Sequence, residues 1–192
     1  MILDLSHGVT LHNLRHLSVN EATYPTVGPK ASMAELGNVL PRLIYAVATA
    51  PDIGGPILFS KIDIKDGYWR MVVPEEEEWH FAYVLPKAHP DEPLQLVVPS
   101  CLQMGWCDSP AFFCAASETT CDITQDLAAT PVGSLPAHPL EDWLLHPAEW
   151  PDAALAEDHA TKFLHLIEVY VDDFVQLAQT TDPNQLEQLA RA

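Results

Sequence analysis

The chain has 192 residues, 48% of them hydrophobic, and nine Lys and Arg against 27 Asp and Glu give it a net charge of −18. That apolar share can fill a core and excludes a disordered tail, and the lack of any run of about 18 apolar residues excludes a helical membrane span. Cys101, Cys107, Cys114 and Cys121 form no C-x-x-C pair, which speaks against a zinc site and a disulfide framework, so buried thiols are expected.

The N-terminus lacks the basic-then-apolar layout of a signal peptide, so the expected location is intracellular, cytoplasmic or nuclear. Seven of the nine basic residues lie at or before Lys87, and none lies between Lys87 and Lys162. Phosphate neutralisation supplies much of the affinity for polynucleotides. Either the chain does not grip nucleic acid by itself, or the basic grip belongs to parts outside it.

Met1 to Ser6 alternates like a strand, with no turn or cap before it, as if the beginning were cut. His12 and His16 are four apart and could share a helix face, but no third ligand completes a metal pattern. Pro25 to Pro29 reads as a loop. Ser32 to Glu35 reads as a capping box, and Leu36, Val39, Leu40, Leu43, Ile44 and Val47 follow at helical spacing as a core-facing stripe. Pro41 should kink this helix or mark its first turn, and Pro51 to Pro56 ends it.

Ile57 to Ile64 is a buried-strand candidate that ends in acid at Asp63, followed by a tight turn over Lys65 to Trp69. A strand-end carboxylate suits a metal ligand, because the strand fixes it while the loop stays open; a plain turn cap is the alternative. Arg70 to Val73 continues as strand, Glu75 to Glu78 form a solvated hairpin tip, and Trp79 to Leu85 and Leu94 to Val98 are further strands. Leu102 to Pro110 is a loop feeding a helix over Ala111 to Leu127, with Asp108 or Ser109 as N-cap and Pro110 near the first position. Cys114 and Cys121 are seven apart and fall on one face of it, as core. Residues 130–161 read as an irregular acidic insertion, and Asp182 to Gln185 as a helix start cut short at Ala192.

Between insertion and last helix stands Tyr170-Val171-Asp172-Asp173, flanked by the strand-like runs Phe163 to Val169 and Phe174 to Ala178. The spacing predicts a hairpin with two adjacent acids at its turn, which repel one another unless a cation neutralises them. A split β-α-β-β-α-β arrangement would bring Asp63 beside Asp172 across neighbouring strands. Carboxylates so placed can hold two metal ions about 4 Å apart for in-line phosphoryl displacement.

Three ordered blocks carry a family resemblance. Phe59-Ser60-Lys61-Ile62-Asp63-Ile64-Lys65-Asp66-Gly67-Tyr68, Leu102 to Phe113, and Tyr170 to Asp173 are similar to the first, second and third palm motifs of reverse transcriptases of the LTR-retrotransposon and retrovirus type. Met1 to Asn20 and Trp79 to Pro86 resemble fingers segments more loosely. The resemblance implies an α+β fold, a polymerase palm (ferredoxin-like split β-α-β antiparallel sheet) with partial fingers and no thumb. It implies one truncated domain over 1–192, with fingers at 1–50 and 70–100 and palm at 51–69 and 101–192.

It further implies catalytic acids at Asp63, Asp172 and Asp173, with metal held by Asp63, Asp172 and the Ile64 carbonyl. The incoming nucleotide would meet Ile64, Asp66, Gly67, Tyr68, Met104 and Gly105. Tyr68 would exclude a 2′-hydroxyl, and Met104 stands where the family has Gln, with Gln103 one position early. Mg²⁺ or Mn²⁺ is the implied cofactor. The implied partners are an RNA/DNA template-primer and dNTPs, with the thumb and RNase H of a full-length element, and no membrane. The expected function is RNA-directed DNA polymerisation, weak or absent in this fragment; the alternative is a catalytically dead acidic protein-interaction module that keeps the palm fold.

Overall fold

The computed structural model describes residues 4–24, 28–128, 130 and 164–179. In chain order its regular elements are β1 (Val9–Leu11), β2 (Leu14–His16), α1 (Val19–Ala22), α2 (Lys30–Thr49), β3 (Ile57–Asp63), β4 (Tyr83–Val84), β5 (Leu96–Val97), α3 (Ser109–Ala128), β6 (His165–Tyr170) and β7 (Asp173–Gln179). All named strand pairs are antiparallel, so the fold is mixed α+β. Apart from Thr130, the insertion expected at 130–161 lies outside the described residues, as does the helix expected from Asp182. Among the described residues no helix is long and apolar enough to cross a membrane. The chain divides into two compact units, Met1–Met33 with Ile64–Ala115, and Ala34–Asp63 with Ala116–Ala192.

The first unit departs from the sequence expectations at several points. Residues 4–6 are not strand, because the Asp4 carboxylate accepts the Ser6 amide at 3.0 Å and bends the chain into an Asx turn. His12 and His16 share no helix: His12 and Asn13 take left-handed φ values of 50° and 63°, the geometry of a two-residue hairpin turn that joins β1 to β2. The predicted strand Arg70 to Val73 shrinks to one bridge, Val72 with Cys101, since Pro74 has no amide to extend the ladder. A 3-10 helix over Glu75–Phe81 replaces the hairpin tip, and its four glutamates sit in the first turn, where the unpaired amides of a helix start favour negative charge. Of the run Trp79 to Leu85 only β4 remains as strand, paired with β5 through Tyr83 opposite Val97. The core of this unit is Val73, Phe81 and Leu102, with Tyr68, Met71, Trp106 and Phe112 packed on it.

In the second unit a three-stranded sheet has the order β3-β7-β6. Cys121 of α3 packs with Ile167 and Val169 of β6, and Phe174 of β7 joins them. The Cys121 thiol donates to the Ile167 carbonyl at 3.3 Å, and burial pushes it up to about 12, so it is packing rather than a nucleophile. Cys114 and Cys121 are buried as expected, Cys107 is exposed, and none of the four cysteines forms a disulfide.

Two burial expectations are corrected here. Strand β3 forms where the sequence puts it, but it is exposed along nearly its whole length, with Phe59 at 65% and Ile62 at 62%, because among the described residues it is an edge strand hydrogen-bonded only to β7. Helix α2 starts at Lys30, so Ser32 and Glu35 lie inside it and form no capping box, and it continues through Pro41. Its apolar residues make two rows, wider than one packing face. Val39 is buried and Leu36 and Leu43 are half-buried, while Leu40, Ile44 and Val47 stay exposed.

Arg42 of α2 serves a cluster of acids. Its Nη1 lies 2.9 Å from Glu35 and its Nε 2.8 Å from the buried Glu168 of β6. Glu118 of α3 has a buried Oε1 with no hydrogen-bond partner among the described residues. Burial raises the Glu118 carboxyl above the usual range, Arg42 opposes this, and Glu168, Asp122 and Glu35 add to it. An acid whose folded pKa is raised binds its proton more tightly folded than unfolded, so stability falls as pH rises from the ordinary carboxylate value through the folded one. Glu118→Gln should therefore raise the melting temperature at pH 8 and change it little at pH 4.5. Equal shifts at both pH values in thermal melts would show that ionisation of Glu118 is not the cause.

Candidate metal centre

Asp63 is the last residue of β3 and Asp173 the first of β7, and the register sets them directly opposite one another. Asp172 lies in the turn before β7, closed by the Tyr170–Asp173 pair. The residue facing Asp63 across the ladder is therefore Asp173, with Asp172 presented from the hairpin turn. One carboxylate oxygen from each of the three lies within 4.8 Å of the others; Asp63 is exposed, and Asp172 and Asp173 are half-buried. Val171 takes φ 60°, a region that costs a β-branched residue about 1–3 kcal/mol. That strain falls on the turn that carries Asp172.

Three carboxylates this close are mutually repulsive, and among the described residues one cation forms an ion pair with them. Lys61 Nζ lies 2.7 Å from Asp173 Oδ1. Its ammonium is held above the usual lysine range, chiefly by that hydrogen bond, with partial dehydration opposing and the charges of Asp173, Asp63 and Asp172 adding. The remaining donors are hard oxygens, the chemistry that suits Mg²⁺ or Mn²⁺ and disfavours softer ions. The residues present fit such a group. Lys61 was legible in the sequence: two residues before Asp63 on a strand, it must share that residue's face.

The residues expected at the nucleotide belong to the other unit and form two turns. Ile64 follows Asp63 and is half-buried; Asp66 takes a left-handed φ of 58° and opens the 3-10 turn Gly67–Arg70. Gly67 is buried, and a Cβ there would come 2.6 Å from Phe113 Cζ. Tyr68 leans on the same ring at 4.9 Å between centroids. In the second turn Gly105 takes φ 110°, open to glycine and strained for other residues, and Met104 is 40% exposed. Gln103 points inward instead, its Nε2 donating to the Cys101 carbonyl at 2.9 Å, so it offers no substitute for the amide that Met104 lacks.

Asn20 fastens this second turn and carries no expected role in the sequence. Its Nδ2 donates to the Gly105 carbonyl at 2.9 Å, and its Oδ1 accepts the Cys107 amide at 2.9 Å. Asn20 is placed by α1, whose capping box runs between Ser18 and Glu21. The signal was the S-x-x-E pattern at Ser18-Val19-Asn20-Glu21. Neither a protein-family model nor a curated protein sequence matches the chain.

Proposed function

We propose that this chain is a reverse transcriptase domain of a transposable element, an RNA-directed DNA polymerase working by metal-dependent nucleotidyl transfer, and that the chain by itself is a weak or inactive polymerase. The observation that carries the reading is the meeting of Asp63, Asp172 and Asp173 oxygens within 4.8 Å, from positions 109 residues apart in the sequence (172 − 63 = 109). Asp63 and Asp172 would hold the ions, with the Ile64 carbonyl as a further oxygen donor. A bound divalent pair supplies Lewis acidity toward a primer hydroxyl and a triphosphate. The chain's own part is positional: the β3–β7 ladder fixes two of the carboxylates, and the Val171 turn presents the third.

The test begins with the metal. Mn²⁺ titrated into the purified chain should bind, and Asp63→Asn or Asp172→Asn should each weaken binding at least about tenfold, the order expected from removing one charged ligand of a hard cation. Primer extension on an RNA template with Mg²⁺ or Mn²⁺ should be weak and lost in Asp172→Asn. Metal binding indifferent to both substitutions would sink the reading.

One observation favours a second reading, an acidic protein-interaction module without catalysis. Phe59 and Ile62 on β3, and Leu40 and Ile44 on α2, present aliphatic and aromatic surface at 60% exposure or more. Tight binding of template-primer at moderate salt by the purified chain would count against it.

A further inference from the structure

Lys61 stands in an unusual place for an edge-strand lysine. Alternation along β3 puts it on the face of Asp63, and the register sets it opposite Val175, one diagonal step from Asp173. Diagonal neighbours across an antiparallel pair lie about 7–8 Å apart at the backbone, within reach of a long side chain. Its ammonium closes that gap to 2.7 Å from Asp173 Oδ1, although 52% of the side chain remains exposed. Among the carboxylates of the triad, Asp173 is the one with a cation already at hand. A metal ion recruiting Asp173 would have to displace this ammonium, whereas Asp63 and Asp172 need surrender no ion pair among the described residues.

We propose that Lys61 is the internal counter-ion of the acidic triad, a positioning residue that keeps Asp173 out of the metal's ligand set and leaves Asp63 and Asp172 as the carboxylate ligands. The role rests on the metal-centre reading above. Its consequence is a site with a charge of −2 from three acids and one lysine, matched by a single divalent ion when no nucleotide is present. The lysine also competes with that ion electrostatically, so it lowers the intrinsic affinity of the empty site and leaves tight metal binding to depend on an incoming polyanion.

The probe is Mn²⁺ alone, followed through the paramagnetic resonance of the unbound ion, on the full chain and on Lys61→Met, Lys61→Gln, Lys61→Arg, Asp173→Asn and the Lys61→Met/Asp173→Asn pair. The Lys61 side chain is 52% exposed on an edge strand, and circular dichroism is the check that each variant folds. The expected result is one ion per chain for the wild type, and binding about tenfold tighter in Lys61→Met and Lys61→Gln, the order of effect of one neighbouring charge. Lys61→Arg should behave like the wild type. Asp173→Asn should weaken binding about tenfold in the wild-type background, through the loss of one neighbouring charge, and by clearly more than that in Lys61→Met, where Asp173 has become a ligand. Unchanged or weaker binding in Lys61→Met and Lys61→Gln, with wild-type binding still dependent on Asp63 and Asp172, overturns the role of Lys61 and leaves the metal centre standing. Binding by the wild type that ignores Asp63→Asn and Asp172→Asn, or no binding, overturns the metal centre and the role of Lys61 with it.

Discussion

Phe113→Ala should destabilise the chain by about 3–5 kcal/mol, the usual cost of removing a buried phenylalanine ring. Phe113 is 3% exposed, packs its ring against Tyr68, and fills the space in front of Gly67. The reciprocal change tests the same contact from the other side. A methyl group on Gly67 would stand 2.6 Å from Cζ and 2.9 Å from Cε2 of that ring, so Gly67→Ala should cost about 1–3 kcal/mol through overpacking. In Gly67→Ala/Phe113→Ala the new methyl occupies part of the cavity, and the pair should cost less than the sum of the single changes. Urea unfolding of the four proteins without nucleotide measures all three values. A neutral Gly67→Ala would show that the ring does not set the requirement for glycine.

What the sequence made legible follows from periodicity and position. The hairpin around Asp172 was readable because two apolar runs flank two acids, and β3 because an apolar run ends at Asp63; both are signals within a few residues. Helix α3 was readable from Asp108-Ser109-Pro110 at its start, and the seven-residue spacing of Cys114 and Cys121 identified its buried face. Burial was less legible. Phe59 and Ile62 read as core because composition reports what a strand could bury, whereas the edge position of β3 is set by pairing with β7, more than a hundred residues later. The same limit applies to Leu40, Ile44 and Val47, since a helix with two apolar rows does not say which row is packed.

Short-range chemistry explains the other departures. The Ser32–Glu35 and Ser18–Glu21 stretches both fit a capping box, and only the second stands at a helix start, because α2 begins before Ser32. The glutamates from Glu75 to Glu78 look like a solvated tip in a charge count, yet Pro74 ahead of them favours a helical turn in which they occupy the first positions. At the candidate centre, the acids were named by residue type and order and Lys61 shares the face of Asp63 by alternation, but the pairing of Asp63 with Asp173 required the register.

Arg42→Met should cost about 2–3 kcal/mol, less than the 3–5 kcal/mol typical of breaking a fully buried ion pair, because part of the guanidinium is in water. The Arg42 side chain is 41% exposed while that of Glu168 is 8% exposed, so the burden of the change falls on Glu168, left on β6 without its cation at 2.8 Å. Dehydration works against the guanidinium charge, but the ion pairs with Glu168 and Glu35 outweigh it and hold the arginine above its usual range. Glu168→Gln keeps the shape and gives up the charge, so it should cost less than Arg42→Met. Arg42→Met/Glu168→Leu replaces the pair by apolar groups and should recover most of the loss, because the penalty lies in the orphaned carboxylate rather than in the missing attraction. Denaturant unfolding of the wild type and the three variants measures these differences. If Arg42→Met lies within about 0.5 kcal/mol of the wild type, the value expected for an ordinary surface change, then water reaches Glu168 and the pair does not tie α2 to the sheet that carries Asp173.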